Sequence, residues 1–150
     1  MARTSDALRA KAALIADECI AVSLRLLTRV VTRIYNDALR PYGLTIGQMN
    51  ILVAASLMVQ AKQQDICRVL YLDKSTLSRD LIRMRKHGWV SESAGDDGRT
   101  SVVTVTARGG RLLEKAIPAW EQAQKEATSL LGERDVSALG RVAKSLRIRD

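Results

Sequence analysis

The sequence predicts a mainly α fold (α+β class): a helix-turn-helix unit with a two-stranded wing, flanked by N- and C-terminal helices. Apolar residues recur at helical spacing through most of the 150 residues, and two helical segments meet at a tight turn. A strand-like alternation of β-branched residues appears only after Gly88. We expect a single domain over residues 1–150, with the winged unit at about 45–106 and the flanking helices at about 5–40 and 107–148.

The central segment, residues 73–88, reads DKSTLSRDLIRMRKHG and predicts an amphipathic helix. Its apolar residues share one stripe at i, i+4 and i+7, namely Leu77, Leu81 and Met84. Asp73 can cap the start of this helix, and Gly88 can supply the left-handed residue that ends it. The apolar stripe must therefore face a core, and the other side is left for solvent or a partner.

The other side of this helix carries short hydroxyl side chains near its N-terminus, followed by spaced arginines. Such a surface suits phosphates and base edges, so we expect it to bind DNA. The expected DNA-binding residues are Lys74, Ser75, Thr76, Ser78, Arg79 and Arg83. The alternative is a solvated basic face on an ordinary helix.

A short helix at about 63–70 precedes this segment and completes the helix-turn-helix. Strands follow at 89–93 and 101–105, and the polar, glycine-containing stretch between them predicts a hairpin tip. Arg99 at the tip could reach an adjacent minor groove, where narrow width concentrates negative potential. Asp97 could brace its guanidinium group, so both residues are expected at the DNA interface. A solvated turn is the alternative for this tip.

The N-terminal segment predicts one long helix from about residue 5 to residue 39. It carries one heptad-like apolar row of Ile20, Leu24, Leu27, Val31, Ile34 and Ala38, and a second row of Val22, Leu26 and Val30. So wide an apolar surface needs more than one small neighbour. A second copy of the chain is the expected partner, with an internal helical hairpin as the alternative.

Pro41 and Gly43 end the N-terminal helix, and Thr45 with Gln48 has the spacing of a capping box for the next one. Beyond the wing, Thr106 can cap a helix that runs to about Leu131. A last helix spans about 133–146. We expect the N- and C-terminal helices to form a dimerisation platform.

The net charge of +8 and the isoelectric point near 10.0 favour a polyanionic partner or an anionic surface. The two cysteines, Cys19 and Cys67, do not make a disulfide framework, which favours a reducing, cytoplasmic location. No signal peptide is recognised at the start of the chain, and the longest apolar run, 51–59, is too short to span a bilayer. We therefore expect no membrane association.

Enzymatic motifs are not recognised in this chain: it has no phosphate loop, no zinc-binding HExxH pattern and no nucleophile elbow. The single histidine, His87, is explained by helix capping. No cofactor or metal is expected, although a metal site shared across a dimer remains an alternative.

Three motifs together resemble the MarR family of bacterial transcription regulators. They are LDKSTLSR at 72–79, Gly88-Trp89-Val90, and Asp96-Asp97-Gly98-Arg99 followed by Val105-Thr106. The resemblance covers nearly the whole chain. It implies a homodimer that binds a pseudo-palindromic operator and usually represses transcription. It also implies major-groove contacts by the residues matching Ser75, Thr76, Ser78, Arg79 and Arg83, and a minor-groove contact by Arg99.

Many members of that family release DNA when a small aromatic or lipophilic ligand fills a cleft between the platform and the winged unit. The residues that this resemblance suggests for the cleft are Arg33, Tyr35, Met49, Val53 and Trp120. Plain packing is the more common role for each of these residue types, and no charge pattern here identifies a ligand.

One branch of the family senses oxidants through a cysteine in the first helix, and Cys19 lies near that region. The tyrosines of that branch are missing from the following helix here. Asp17 and Glu18 beside Cys19 also supply the wrong charge for a stabilised thiolate. A Cys19 redox regulator is therefore the alternative to a ligand-responsive repressor, and a sequence-nonspecific architectural protein is another.

Overall fold

The computed structural model describes residues 2–96 and 98–147. Within them lie the helices α1 (Ala2–Glu18), α2 (Ile20–Leu39), α3 (Ile46–Leu57), α4 (Gln63–Leu70), α5 (Lys74–Lys86), α6 (Ala107–Leu131) and α7 (Glu133–Arg147), and the strands β1 (Ala61–Lys62), β2 (Val90–Ala94) and β3 (Ser101–Val105). The predicted fold class, mainly α with a winged helix-turn-helix and flanking helices, is confirmed. Among the described helices, none is both long enough and apolar enough to cross a membrane.

The N-terminal segment forms two helices, so the prediction of one long helix is wrong. The break is at Cys19, whose backbone is extended with φ −73° and ψ 110°. Asp17 and Glu18 lie at the break, where their negative charges suit the positive N-terminal end of α2. The Cys19 carbonyl accepts the first hydrogen bond of α2 from the Ser23 N–H, at 3.1 Å.

The turn between α2 and α3 confirms the predicted breakers and capping box. Residues 40–42 form a single 3-10 turn containing Pro41, and Gly43 follows with φ 69°. The Gln48 N–H donates to Thr45 Oγ1 and the Thr45 N–H donates to Gln48 Oε1, both at 3.2 Å. The Ile46 N–H also donates to Asn36 Oδ1 at 2.8 Å, which ties the start of α3 to α2.

The core lies in the winged unit, between α3, α4, α5 and the sheet, and the first half of α6 closes it. The predicted apolar stripe of α5 is buried, which confirms that this side faces the core. The largest fully buried side chains are Leu39, Ile51, Leu52, Ile66, Leu77, Leu81, Met84 and Val103. Since these residues come from α2, α3, α4, α5 and β3, these five elements are held in fixed relative positions.

The described residues form a three-stranded antiparallel sheet in the order β1-β3-β2. The hairpin of β2 and β3 was predicted, and its register runs from Val90 opposite Val105 to Ala94 opposite Ser101. β1 was not predicted, because two residues are too few to show an alternating pattern. It pairs with β3 through Ala61 opposite Val103, so the base of the wing is joined to the segment leading into α4.

Helices α2, α6 and α7 flank the winged unit, and Leu39 at the end of α2 and the first half of α6 contribute to its core. α6 begins at the predicted cap, where Thr106 Oγ1 accepts from the Gly109 N–H at 3.1 Å, and it ends at Gly132. α2 packs along α6, and the Tyr35 hydroxyl donates to Gln124 Oε1. α7 packs against α6 and reaches the winged unit, because the Tyr71 hydroxyl donates to the Leu146 carbonyl at 2.9 Å.

Candidate nucleic-acid interface

The N-terminal end of α5 is organised by the Asp73 carboxylate. It accepts hydrogen bonds from the Thr76 N–H at 2.8 Å, from Ser75 Oγ at 2.6 Å and from Thr76 Oγ1 at 2.8 Å. These bonds, with the Ser75 hydroxyl first, hold the pKa of Asp73 well below its usual value. Because both hydroxyl hydrogens point at Asp73, the free lone pairs of Ser75 and Thr76 can accept hydrogen bonds from a partner.

The C-terminal end of α5 is closed by a Schellman motif. The Trp89 N–H donates to the Met84 carbonyl at 2.9 Å, and the Gly88 N–H donates to the Arg85 carbonyl at 2.8 Å. Gly88 has φ 71°, a left-handed conformation that glycine adopts without strain. Both helix ends are therefore fixed, and the predicted roles of Asp73 and Gly88 are confirmed.

The structure gathers the predicted residues of α5 on the side away from the core. Lys74, Ser75, Ser78, Arg79 and Arg83 are exposed, and Thr76 is half-buried. Arg79 Nε donates to the Ser75 carbonyl at 3.2 Å, which directs this side chain back along the helix. The result is one polar, positively charged helix face that no other described element covers.

The wing brings Arg99 close to the start of α5. Arg99 is exposed, and it lines one cavity of about 490 Å³ together with Lys74 and Lys62. The wing tip is anchored by Gln60, whose Nε2 donates to Asp96 Oδ2 at 2.7 Å. Asp97, the predicted brace of Arg99, lies outside the described residues.

Glu92 on β2 connects the wing to the helix-turn-helix. Its Oε2 accepts from Arg85 Nη1 at 2.7 Å, while its Oε1 accepts from Ser101 Oγ at 3.2 Å and from Gln63 Nε2. The Glu92 side chain is only 15% exposed, so these contacts are partly shielded from water. Sequence reasoning missed Glu92 and Lys62, because their neighbours lie in other elements and no local pattern marks them.

The five residues suggested for a ligand cleft occupy different environments in a single chain. Met49 is buried in the core, and Arg33 is exposed on α2. Tyr35 is half-buried, whereas Val53 and Trp120 are each more than one-third exposed. Met49 therefore has a packing role that accounts for it without a ligand.

The two cysteines are free and partly buried. Burial raises the pKa of the Cys67 thiol, and the nearby Asp73 carboxylate raises it further, against an opposing effect of Lys74. Cys19 lies at the break between α1 and α2. The two thiols belong to different parts of the chain, one in the N-terminal helices and one in the winged unit.

Comparisons with known proteins agree with this architecture. The family described as a winged helix DNA-binding domain matches residues 59–109. The uncharacterised HTH-type transcriptional regulator YwoH of Bacillus subtilis is 26% identical over 87 residues, which is 58% of this chain and 64% of that protein. The alignment thus spans less than two thirds of that relative.

Two solved structures resemble nearly the whole chain. The M. tuberculosis transcriptional regulator MosR in complex with DNA is 34% identical, with a TM-score of 0.72 over 87% of this chain and 99% of that one. A MarR-family regulator from Rhodococcus sp. RHA1 is 20% identical, with a TM-score of 0.74 over 89% and 97% of the two chains. The chain therefore belongs to the MarR family of winged helix-turn-helix transcription regulators.

Proposed function

We propose that this protein is a homodimeric repressor that binds a pseudo-palindromic DNA operator and is released by a small aromatic or lipophilic ligand. One observation carries the DNA-binding part of this proposal. Helix α5 buries its whole apolar stripe and leaves a hydroxyl- and arginine-bearing face exposed, with both of its ends fixed. A similar chain, MosR, has been solved in complex with DNA.

The exposed residues of α5 would contact different chemical groups of the DNA. Arg79 and Arg83 are suited to guanine edges, because a guanidinium group can donate two parallel hydrogen bonds. Ser75 and Thr76, with their hydrogens directed at Asp73, suit the amino groups of adenine or cytosine. Lys74 and Ser78 are suited to phosphate oxygens, which position the helix without reading sequence.

The wing would add a contact outside the major groove. Arg99 is exposed at the hairpin tip, and the tip is held by the Gln60–Asp96 hydrogen bond and by the strand pairing beneath it. A guanidinium group favours a narrow minor groove, where the negative potential is strongest. We assign Arg99 to this position at the outer edge of each half-site.

The dimer would be formed by the terminal helices. The apolar row of Val22, Leu26 and Val30 on α2 is exposed in the single chain, and Leu26 is 61% exposed. Exposed leucines and valines on α7 add to this surface: Leu139, Val142 and Leu146. Rows of exposed apolar side chains of this kind are typical of an interface. A second copy would cover it and would present two α5 helices, which must lie about 34 Å apart to enter successive major grooves.

Ligand release would work through the distance between the two α5 helices, which are the recognition helices of the proposed dimer. A ligand that binds more tightly to another spacing shifts the population away from the form that fits DNA. Arg33, Tyr35, Val53 and Trp120 remain the predicted contacts for such a ligand. The redox alternative assigns the switch to Cys19. Mass spectrometry after mild peroxide treatment separates the two, because an unmodified Cys19 with intact DNA binding removes the redox alternative.

Selection of bound sequences from a random DNA pool tests the proposal directly. We expect enrichment of a palindrome whose half-sites are about one helical turn apart. Repeating the selection with a panel of aromatic acids should abolish enrichment for at least one compound. Sedimentation of the free protein should show a dimer at the concentration used.

The matched control is the double variant Arg79→Ala, Arg83→Ala in the same selection. It keeps the fold and the wing but loses the proposed base contacts, so enrichment should weaken or disappear. A lone subunit that enriches no sequence would show the proposed function to be wrong. Equal affinity for all duplexes at fixed salt would instead indicate a nonspecific architectural protein.

A further inference from the structure

A second basic cavity, of about 490 Å³, lies at the C-terminal end of the recognition helix. Its lining joins three parts of the chain: Tyr42 from the turn after α2, His87 and Trp89 from the end of α5, and the start of α6. A helix of 13 residues is about 20 Å long, so this cavity is far from the N-terminal residues of α5. It is distinct from the cavity beside Arg99.

Three cations of α6 line this cavity, namely Arg108, Arg111 and Lys115. Their spacing of i, i+3 and i+7 puts them on one side of the helix. All three are exposed, and none forms a salt bridge with a carboxylate of residues 2–96 or 98–147. No acidic side chain from those residues lines the cavity. Like charges this close repel one another, so an anion in the cavity is favoured.

Aromatic groups form the wall beside these cations. The His87 ring stacks on Trp89 with a centroid distance of 4.6 Å and an angle of 16° between the ring planes. Trp89 is 5% exposed and fixed in the core, so it holds the exposed His87 ring in place. Tyr42 is half-buried on the side contributed by the turn. A flat molecule can therefore pack here against rings that are already positioned.

The anion expected in this cavity is not the DNA of the proposed function. The proposed base contacts lie on the exposed face of α5, between Ser75 and Arg83. The three cations lie on α6, beyond the Schellman motif that ends α5. They are thus available to a separate ligand while DNA occupies the exposed face of α5.

We propose that this cavity binds a small aromatic molecule bearing a phosphate group, of the mononucleotide class. A phosphomonoester carries a charge of about −1.5 to −2 at neutral pH, which balances three cations better than a single carboxylate does. Two arginines can hold its oxygens through paired hydrogen bonds. The cavity volume falls within the range of about 300–1,000 Å³ that is typical of small-molecule sites.

Binding at this position would influence DNA affinity. The cavity touches α6, the turn after α2 and the end of α5, so a ligand there favours one arrangement of these three elements. This regulatory consequence rests on the proposed DNA-binding function. The binding itself does not, and it can be measured on the protein without DNA.

The test is a titration of the full chain with AMP. Binding is measured by calorimetry, and its location is measured by the two tryptophan indole N–H signals in NMR spectra. We expect AMP to bind and to shift the Trp89 signal, whereas the Trp120 signal stays in place. Adenosine, inorganic phosphate and benzoate should each bind about tenfold more weakly or worse, since each lacks the ring or the doubly charged group.

Arg111→Gln and Lys115→Gln should each weaken AMP binding by about tenfold. The control is Lys125→Gln, which removes the same charge from an exposed position farther along α6. It should leave AMP binding unchanged. The proposal would be overturned if inorganic phosphate or benzoate bound as tightly as AMP. It would also be overturned if AMP moved the Trp120 signal alone. Absence of AMP binding together with normal selection of a DNA sequence would overturn this inference and leave the proposed function intact.

Discussion

Arg85, in the last turn of the recognition helix, forms a 2.7 Å ion pair with Glu92 on the first strand of the wing. The same carboxylate accepts from Ser101 and Gln63, so one side chain joins α5, both wing strands and α4. Val90 and Val103 of the wing strands also pack in the same core as the apolar stripe of α5. Glu92 adds a polar connection to this packing, and we expect it to help orient the wing relative to α5.

Glu92→Ala should weaken the proposed minor-groove contact without touching DNA itself. We expect loss of protection at the edges of the binding site in a footprint, similar to the loss caused by Arg99→Ala. The free energy of unfolding should fall by about 1 kcal/mol. Glu126→Ala on the exposed side of α6 is the control. Unchanged edge protection in Glu92→Ala would show that the ion pair does not orient the wing.

Arg79→Ala and Arg83→Ala should each weaken binding to the selected operator by about 1–3 kcal/mol and relax its sequence preference. Arg99→Ala should reduce affinity mainly through the site edges. The measurement is an electrophoretic shift at fixed salt with operator and scrambled duplexes. Unchanged binding by all three variants would refute the assignment of these residues.

The neighbouring glycines at the start of α6 should respond in opposite ways to alanine. A Cβ at Gly109 would lie 2.1 Å from the Trp89 carbonyl oxygen, which also accepts from the Thr106 N–H at 3.0 Å. Gly109→Ala should therefore lower the free energy of unfolding by about 1–3 kcal/mol. A Cβ at Gly110 meets nothing within 4 Å, so Gly110→Ala should raise it by up to about 1 kcal/mol. Denaturant titration of both variants checks the pair, and equal effects would contradict the predicted contact.

Asp73 should make the stability of the protein depend on acidic pH. Its pKa in the folded chain lies below the ordinary value of 3.8, so its contribution is fully present above that value and is lost as the pH falls. Asp73→Asn keeps an acceptor for the Thr76 N–H but cannot titrate. We expect the difference in denaturation midpoint between the wild type and this variant to stay constant above about pH 4 and to shrink as the pH is lowered further. Parallel curves at fixed protein concentration would argue against this role.

Leu26→Glu should weaken the proposed dimer by about tenfold or more, because it places a charge on an apolar surface that a second copy would cover. Leu57→Glu is the matched control, since Leu57 is 81% exposed on α3 in the winged unit. Sedimentation over a range of concentrations measures both variants. A dimer that tolerates Leu26→Glu would place the interface elsewhere.

Much of the fold follows from signals within a few residues of one another. The predicted caps all begin helices: Thr45 with Gln48 for α3, Asp73 for α5 and Thr106 for α6. Gly88 ends α5 in a left-handed conformation. Helical spacing of apolar residues also indicated which side of α5 is buried. The N-terminal break was the exception, because the apolar pattern continues across Cys19 although the backbone does not.

The sequence by itself determined the helices, the hairpin and the exposed basic face of α5, since period and capping act between residues close in the chain. Only the tertiary structure decided which of those elements contact one another. It paired β1 with β3, surrounded Glu92 with partners from three other elements, and placed the cations of α6 beside Tyr42 and His87. These contacts join residues far apart in the chain, and which of them form depends on how the whole core packs.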